Sequence, residues 1–213
     1  MVSQQGIAKA TRWGVVFDVG ANIGNWSRYC LGVVPDLRMH LFEPSAFTFK
    51  KLQSIECSTA VNLNNLGLGE RKEQLLLNIA GDGDGVNSIH QRQGVIGVEM
   101  KSTETIQIQT LDTYCEENGI VHINFLKIDV EGHEMAVFKG ASNMLSKQAI
   151  DLIQFEYGGC NLDARVYLLD IWNLLQSYGY VIGKIYPNSI VMIDKYQQNL
   201  ETFRYANFIA KIK

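Results

Sequence analysis

The sequence lacks the features that would place the chain in a membrane, on a nucleic acid or in an oxidising compartment. It contains no run of about 18 apolar residues, and residues 1–14 lack the apolar core of a secretory signal. The net charge is −3 without any cluster of lysines and arginines, which argues against a nucleic-acid surface. The four cysteines form no Cys-x-x-Cys pair, so neither a disulfide framework nor a zinc site is expected. We therefore expect a cytoplasmic protein that binds neither nucleic acid nor membrane.

What is present is an ordinary globular composition with alternating strand and helix patterns. The 213 residues are 46% apolar and 19% charged, which predicts a single domain, 1–213, with a sizeable core. Strand-like runs alternate with helix-like stretches, and this order is typical of a doubly wound parallel α/β sheet. A short helix is expected within residues 1–14, and residues 73–109 are interpreted as a strand and loop insertion.

Individual elements are predicted from the same patterns. Beyond the first strand, near residue 15, strands are expected at 39–42, 58–63, 75–79, 105–109, 123–129, 150–155, 180–185 and 208–212. Helices are expected at 25–31, 46–55, 110–118, 135–145 and 163–178. The glycine-rich stretch 81–88 predicts a flexible loop, and residues 81–97 are expected to form a mobile cover over the acceptor.

Residues 15–27 form the stretch around which the rest of the chain is organised. A β-branched apolar run ends at Asp18 and passes into Gly20 and Gly24, before a segment that can begin a helix. Such a corner is typical of nucleotide binding, because glycine lets a ligand approach the backbone closely. The spacing matches neither G-x-G-x-x-G nor a P-loop. The carboxylate of Asp18 would repel a pyrophosphate and so favours a cationic ligand group. The alternative interpretation is a βα turn that binds no ligand.

Acids and amides stand at the ends of the predicted parallel strands, where such sheets bind their ligands. These residues are Asp18, Glu43, Asn65, Asp129 and Glu156. Glu43 follows Gly24 by 19 residues, a separation at which an acid accepts hydrogen bonds from ribose hydroxyls in nucleotide-binding folds. A cofactor with a ribose, a cationic tail near Asp18 and no pyrophosphate matches S-adenosylmethionine.

Six short motifs, in chain order, resemble those of the FkbM-type S-adenosylmethionine-dependent methyltransferases. They are FDVGANIGN at 17–25, FEP at 42–44, NLGLG at 65–69, LD at 111–112, LKIDVEGHE at 126–134 and KGA at 139–141. The resemblance implies a class I methyltransferase fold, which is Rossmann-like with a doubly wound seven-stranded sheet whose last strand is antiparallel. It also implies methylation of a hydroxyl oxygen, often on a natural product or a sugar.

The resemblance also assigns roles to residues. The methionine part of the cofactor is expected to be lined by the corner residues Asp18, Gly20, Asn22, Gly24 and Asn25. Glu43 is expected to hold the ribose beside Pro44, and Asn65 and Leu66 are expected to border the adenine. The expected partner is a small-molecule or glycan acceptor that carries a hydroxyl group.

An alcohol is a poor nucleophile at neutral pH, so the reaction calls for a base or a metal ion near the acceptor. Three candidate catalytic residues follow the strand expected beside the glycine corner: Asp129, Glu131 and His133. Glu131 is expected to meet the acceptor hydroxyl, and Asp129 is expected to contact the cofactor's amine or an ion. His133 has the intrinsic pKa of a base, with a surface histidine as the alternative.

A metal-assisted route and two other functions are the alternatives. Asp129 and Glu156 end adjacent strands, as the metal-binding acids of catechol-type O-methyltransferases do, and oxygen ligands would select magnesium or calcium. Those enzymes place an amide where Tyr157 stands, so a divalent metal is not favoured and no metal ligand is assigned. The alternative functions are a non-catalytic S-adenosylmethionine-binding module and an NAD-dependent oxidoreductase, against which the absent third glycine argues.

Overall fold

The structure is a computed structural model that describes residues 14–55, 60–80, 87–92 and 99–213. The helix expected within residues 1–14 falls outside the described residues, apart from residue 14 itself. The predicted loop at 81–88 and the predicted cover at 81–97 fall largely on undescribed residues as well. Of that stretch, residues 87–92 are described, and they lie beside the candidate site discussed below.

The central sheet contains eight strands. Their bounds are β1 Val15–Val19, β2 Arg38–Phe42, β3 Val61–Asn64, β7 Ile123–Ile128, β8 Ile150–Tyr157, β9 Tyr180–Tyr186, β10 Ser189–Ile193 and β11 Ala206–Ile212. They are ordered β10-β9-β11-β8-β7-β1-β2-β3. Neighbours from β3 to β8 pair in parallel, whereas β11 runs antiparallel to both β8 and β9. The predicted doubly wound α/β sheet with an antiparallel last strand is confirmed.

The eighth strand, β10, was not predicted. It pairs antiparallel with β9 through a hairpin in which Tyr186 faces Ser189. Only Pro187 and Asn188 lie between the paired residues, so a tight turn places this short apolar run at the edge of the sheet.

The described helices are seven in number. Their bounds are α1 Asn25–Val33, α2 Ala46–Leu52, α3 Leu111–Glu117, α4 Glu134–Lys139, α5 Ser142–Ser146, α6 Gly159–Ala164 and α7 Leu168–Ser177, and a 3₁₀ turn covers Gln198–Leu200. Within the described ranges, no helix is long and apolar enough to cross a bilayer.

Two helices predicted as continuous, at 135–145 and 163–178, are each divided. The stretch predicted at 135–145 forms α4 and α5. At the N-terminus of α5 the Asp112 carboxylate accepts hydrogen bonds from the backbone N–H groups of Asn143 (2.7 Å) and Met144 (3.0 Å). The other is divided at Arg165, which has φ +56°, a left-handed conformation that no α-helix continues through. Side-chain capping and one left-handed residue therefore override the apolar periodicity.

The two faces of the sheet are covered separately because alternate side chains of each strand point in opposite directions. Val16 packs in a cluster with Cys30 of α1 and Leu52 of α2, whereas its neighbour Phe17 packs in a larger cluster with residues of α3, α4, α5 and α7. The carboxyl ends of the parallel strands lie between these layers, as ligand-binding ends do in doubly wound sheets.

A second, smaller sheet stands beside those carboxyl ends. It consists of β4 Gly67–Leu68, β5 Glu73–Ile79 and β6 Ser102–Gln109, in the order β4-β6-β5. β5 and β6 contain the two strands predicted within 73–109, and they pair antiparallel. Leu77, Ile106 and Ile108 form its own small apolar cluster. Because β4 follows β3 after only two residues, the small sheet is held close to the end of the main one.

Candidate active site

A row of polar side chains crosses the parallel strands on the face that α1 covers. Asp18 in β1 is in register with Lys127 in β7, and Lys127 is in register with Gln154 in β8. Asp129, the residue that follows β7, and Glu156 in β8 come two residues later and continue the row on the same face. The acids in this row were predicted; the lysine and the glutamine between them were not.

The glycine corner connects this row to α1. Gly20 and Gly24 have φ of +82° and +84°, in the region where glycine is favoured. The backbone N–H groups of Gly20 and Ala21 both donate to the carbonyl oxygen of Phe42, at 3.0 and 2.9 Å, which ties the corner to the end of β2. Gly24 is the residue that precedes α1 and is buried, whereas Gly20 lines the candidate site.

Asp18 is fully buried beneath the corner, with 0% exposure. Its Oδ2 accepts from Ser27 Oγ at 2.6 Å, and its Oδ1 lies 3.2 Å from Lys127 Nζ. Because both oxygens are occupied below the surface, we revise the expected direct contact between Asp18 and a cationic ligand group. In this structure the acid holds Lys127 and the first turn of α1 in place.

Glu43, at the end of β2, is buried and accepts two backbone hydrogen bonds. Its Oε2 accepts from the N–H of Asn22 and its Oε1 from the N–H of Ser45, each at 3.0 Å. Burial raises the pKa of Glu43 to about 7, although both hydrogen bonds favour the ionised form. Asn65 Nδ2 donates at 3.0 Å to the carbonyl oxygens of Glu43 and Pro44, so it fixes the turn after β2.

Three acids converge beyond the ends of β7 and β8. One carboxylate oxygen from each of Asp129, Glu131 and Glu156 lies within 4.8 Å of the other two. Burial, and then the neighbouring Asp129, raise the pKa of Glu156 well above its usual range. Lys127 Nζ lies 3.1 Å from Asp129 Oδ2 on the other side.

Glu131 forms an ion pair with Arg92, and their side chains are only 12% and 2% exposed. Arg92 also lies 3.2 Å from Asp163 in α6 and donates to the Tyr205 hydroxyl at 3.0 Å. Burial raises the pKa of Glu131, and Arg92 opposes that shift. Sequence reasoning missed Arg92, because no local pattern in the 87–92 segment indicates which acid it meets.

His133 and Glu134 both follow the acid cluster, but they differ in surroundings. Burial, and then His90, lowers the pKa of His133 to about 4, so its ring is neutral at physiological pH. Glu134 is fully buried; its Oε1 accepts from the N–H groups of Val130 and Gly132 at 3.2 Å each. Glu134 therefore stabilises the turn before α4, as an acid at a helix start does.

Two cavities meet at the corner. The first is narrow, about 130 Å³, and has mostly apolar walls from Phe42, the small sheet and Val130, with Glu43, Pro44, Glu131 and His133 among its polar or turn residues. The second is broader, about 720 Å³, and lies between α1, the β9–β10 hairpin and the start of β11. Gly20, Asn22 and Asp129 line both cavities.

The predicted site residues are thus partly brought together. Gly20, Asn22, Glu43, Pro44, Asp129, Glu131 and His133 line the first cavity, and Asn25 lines the second. The wall near the expected adenine position is formed by Gly67 and Leu68 of β4. The neighbouring Leu66 packs against the core, and Asp18 and Gly24 are buried behind the corner.

Two of the three converging acids already contact cations. Lys127 contacts Asp129 as well as Asp18, and Arg92 contacts Glu131 as well as Asp163. A divalent metal bound between the acids would compete with these ion pairs for the carboxylate oxygens.

Comparison with known proteins gives a family match over most of the chain. The sequence model of the family described as "Methyltransferase FkbM domain" matches residues 18–182. Hexuronic acid methyltransferase AglP of Haloferax volcanii is 28% identical over 176 residues, which are 80% of this chain and 70% of that protein. The 2-O-methyltransferase NoeI of Sinorhizobium fredii is 25% identical over 179 residues, 78% of this chain and 73% of that protein.

Solved structures give the same fold. A methyltransferase FkbM from Methylobacillus flagellatus KT superposes with a TM-score of 0.59 and 18% identity, covering 92% of this chain. This chain spans only 43% of that larger chain. Precorrin-6y C5,15-methyltransferase from Geobacter metallireducens GS-15 superposes with a TM-score of 0.50 and 9% identity over 99% of this chain. The class I, Rossmann-like methyltransferase fold is thereby confirmed.

Proposed function

This chain belongs to the family of the methyltransferase FkbM domain, and from that premise we propose that it methylates a hydroxyl oxygen with S-adenosylmethionine as methyl donor. The acceptor is a small molecule, a natural product or, as we favour, a sugar. The observation that carries the proposal is the meeting of two different cavities at one carboxylate, Asp129. A cofactor pocket and an acceptor pocket must share such a boundary for a group to pass between them.

We assign the first cavity to the adenosine part of the cofactor from the residues that line it; with a volume of about 130 Å³ it has to widen when adenosine enters. Its apolar walls, Leu68, Leu77 and Ile108 among them, offer a slot for a flat base, and Glu43 offers carboxylate oxygens to ribose hydroxyls. Glu43 accepts hydrogen bonds from two backbone N–H groups, and its oxygens keep further lone pairs for the ribose hydroxyls. The methionine part would then run past Gly20 and Asn22 towards Asp129.

The second cavity fits a sugar. Its volume is within the range of small-molecule sites, and its wall combines the aromatic rings of Trp26, Tyr186 and Tyr205 with the amides of Asn188 and Asn207. Aromatic rings pack against the apolar face of a sugar ring, and amides exchange hydrogen bonds with its hydroxyl groups. Two relatives, named as a hexuronic acid methyltransferase and a 2-O-methyltransferase, support the same acceptor class.

S-adenosylmethionine supplies a sulfonium-bound methyl group that is already electrophilic. The chain therefore has to align the acceptor oxygen with that methyl group and to accept the hydroxyl proton. The acids able to accept it are Asp129, which faces both cavities, and Glu131, which the ion pair with Arg92 restrains. The cytoplasmic location and the absence of nucleic-acid and membrane partners stay predictions.

Two measurements test the proposal. Isothermal titration should show binding of S-adenosylhomocysteine and none of NAD; the reverse result would support the oxidoreductase alternative. Transfer of a radiolabelled methyl group should then be measured with hexoses, hexuronic acids and their glycosides, and with phenolic and polyketide alcohols. Tight S-adenosylhomocysteine binding without transfer to any of these would favour the non-catalytic binding module.

A further inference from the structure

Lys127 is a buried cation on the wall of the proposed acceptor cavity. Its side chain is 8% exposed, and Nζ lies 3.2 Å from Asp18 Oδ1 and 3.1 Å from Asp129 Oδ2. Burial lowers the pKa of Lys127, but the two carboxylates outweigh that effect and the pKa is raised, so the ammonium stays charged. An apolar residue would fill this position at a lower desolvation cost, which makes the ammonium itself the feature to explain.

One N–H group of the Lys127 ammonium has no hydrogen-bond acceptor among the described residues. The ammonium carries three N–H bonds, and Asp18 and Asp129 take two of them. Among the described residues no third acceptor is recorded for it, and the Trp26 ring, another wall of the same cavity, lies 5.8 Å from Nζ. The third N–H is therefore available to a ligand oxygen that enters the cavity.

A second unsatisfied group stands next to it. Gln154, in register with Lys127, is 5% exposed and lines the same cavity. Gln154 Nε2 donates to Asn207 Oδ1 at 2.8 Å. The other amide atom, Oε1, has no hydrogen-bond partner within the described part of the chain. Buried acceptors without a partner are rare in folded proteins, so this one also points to a polar ligand.

Asp129 completes the arrangement. Its side chain is 36% exposed, against 12% for Glu131, and it lines both cavities. Glu156 and Lys127 flank it, and Glu131 with Arg92 lies just beyond. A carboxylate has about four lone-pair positions, so these neighbours leave room for one more donor.

We propose that Lys127 and Asp129 together hold the hydroxyl group that receives the methyl group, with Gln154 accepting from a neighbouring hydroxyl of the same acceptor. This inference rests on the proposed function. Lys127 Nζ donates to the acceptor oxygen and orients one of its lone pairs at the methyl group. As the carbon–oxygen bond forms, the carbon–sulfur bond breaks and its electron pair stays on sulfur, while Asp129 takes the hydroxyl proton.

The assignment reverses the roles expected from the sequence, in which Glu131 meets the acceptor hydroxyl and Asp129 contacts the cofactor's amine or an ion. Asp129 is the catalytic base, and Glu131 holds the 87–92 segment through Arg92. Lys127 is a catalytic residue because it touches the reacting oxygen, in addition to holding the corner through Asp18.

The test compares variants of the full chain on one accepted sugar. Lys127→Met alone leaves Asp18 buried without a counter-charge, so the matched variant is Asp18→Asn/Lys127→Met, which removes both charges. Thermal unfolding and S-adenosylhomocysteine affinity show whether each variant is intact. Lys139→Met serves as the control, since Lys139 is about half exposed and pairs with the exposed Glu70.

We expect the double variant to bind S-adenosylhomocysteine like the wild type while kcat falls by about 10²–10³-fold, the loss seen when one transition-state donor is removed. Asp129→Asn should lower kcat by roughly 10²–10⁴-fold. In the double variant the loss should appear in kcat while the dissociation constant of S-adenosylhomocysteine stays unchanged. A purely structural lysine would instead alter thermal unfolding or cofactor affinity.

The outcomes are distinguishable. Wild-type kcat in a folded double variant would overturn this inference and leave the proposed function standing. Loss of turnover in Glu131→Gln with full turnover in Asp129→Asn would reassign the base to Glu131. A wild type that binds S-adenosylhomocysteine but methylates nothing would overturn the proposed function, and this inference with it.

Discussion

The carbonyl oxygen of Asp129 lies 1.8 Å from the position that a Cβ on residue 20 would occupy, so only glycine fits there. The same two loops are joined by a hydrogen bond from the N–H of Asp129 to the carbonyl oxygen of Val19 at 3.0 Å. The glycine corner and the acid cluster are therefore one packed unit, in which a shift of one displaces the other.

Gly20→Ala should abolish most cofactor binding. Its φ of +82° costs an L-residue roughly 1–2 kcal/mol, and the contact with Asp129 adds to that cost. We expect S-adenosylhomocysteine affinity to fall by more than about tenfold, measured by isothermal titration. The control is Gly32→Ala in α1, where nothing lies within 4 Å of the new Cβ and helix stability should rise by roughly 0.5–1 kcal/mol. Equal affinity in the two variants would contradict this account.

Glu43→Ala should weaken S-adenosylmethionine binding by about 1–3 kcal/mol, because ribose hydroxyls would lose a charged acceptor inside a buried pocket. The variant also leaves the N–H groups of Asn22 and Ser45 without their acceptor, so unfolding must be measured alongside. A folded variant with an unchanged dissociation constant would remove Glu43 from the cofactor site.

Cofactor affinity should depend on pH through the same carboxyl group. In the free protein burial raises the pKa of Glu43 to about 7, and a carboxylate that accepts two ribose hydroxyls binds best when ionised. S-adenosylhomocysteine affinity should therefore rise with pH through about 7 and flatten above it. Titrations between about pH 5.5 and 8.5 check this. The rise should be absent in Glu43→Gln; a rise of the same size there would assign the dependence to another group.

The stability of the unliganded protein should fall as pH rises, whereas cofactor affinity should rise. The pKa values of Glu43 and Glu134 are each raised to about 7 by burial, so the folded state binds more protons than the unfolded state between about pH 4.5 and 7. Both groups therefore make the free energy of unfolding fall as pH rises through that interval. Urea unfolding of wild type and Glu43→Gln over this range measures the contribution; an identical slope in both would exclude Glu43.

Arg92→Met should destabilise the fold by about 3 kcal/mol or more, because it leaves the carboxylates of Glu131 and Asp163 partly buried without their cation. Arg71→Met is the matched control: Arg71 is 77% exposed in its pair with Glu73, and its loss should cost less than about 1 kcal/mol. Urea unfolding of both variants compares them. Similar small losses would show that the Arg92 pairs do not hold the 87–92 segment.

His133→Gln should leave the kcat–pH profile unchanged. With a pKa lowered to about 4, the ring is neutral throughout the working range and cannot produce an inflection near neutrality. We expect turnover to change far less than the roughly 10²-fold that a positioned base contributes. A loss of that size, together with a lost inflection, would restore His133 as the base.

Local pattern was enough for the fold class and for several residues that line the first cavity. The strand at 39–42 was predicted within one residue of β2, because a short, mostly apolar run that ends just before Glu43 and Pro44 has few other solutions. Gly20 and Glu43 were found from their spacing along the chain and Asn22 from the family resemblance, and all three line one cavity. The divided helices were missed because Asp112 and Arg165 interrupt them by capping and backbone conformation, which periodicity does not record. That residues 1–213 form a single domain stays a prediction.

The sequence by itself determined the order of strands and helices, the glycine corner and the acids at the strand ends, since each depends on residues close together in the chain. Only the tertiary structure decided which charges meet. Lys127 reaches Asp18 across 109 residues because β1 and β7 are neighbours in that register, and Arg92 meets Glu131 across 39 residues. Those pairings bury Asp18, restrain Glu131 and leave Asp129 facing both cavities. The physical reason is that burial and ion pairing are set by packing between distant segments, and no local pattern records it.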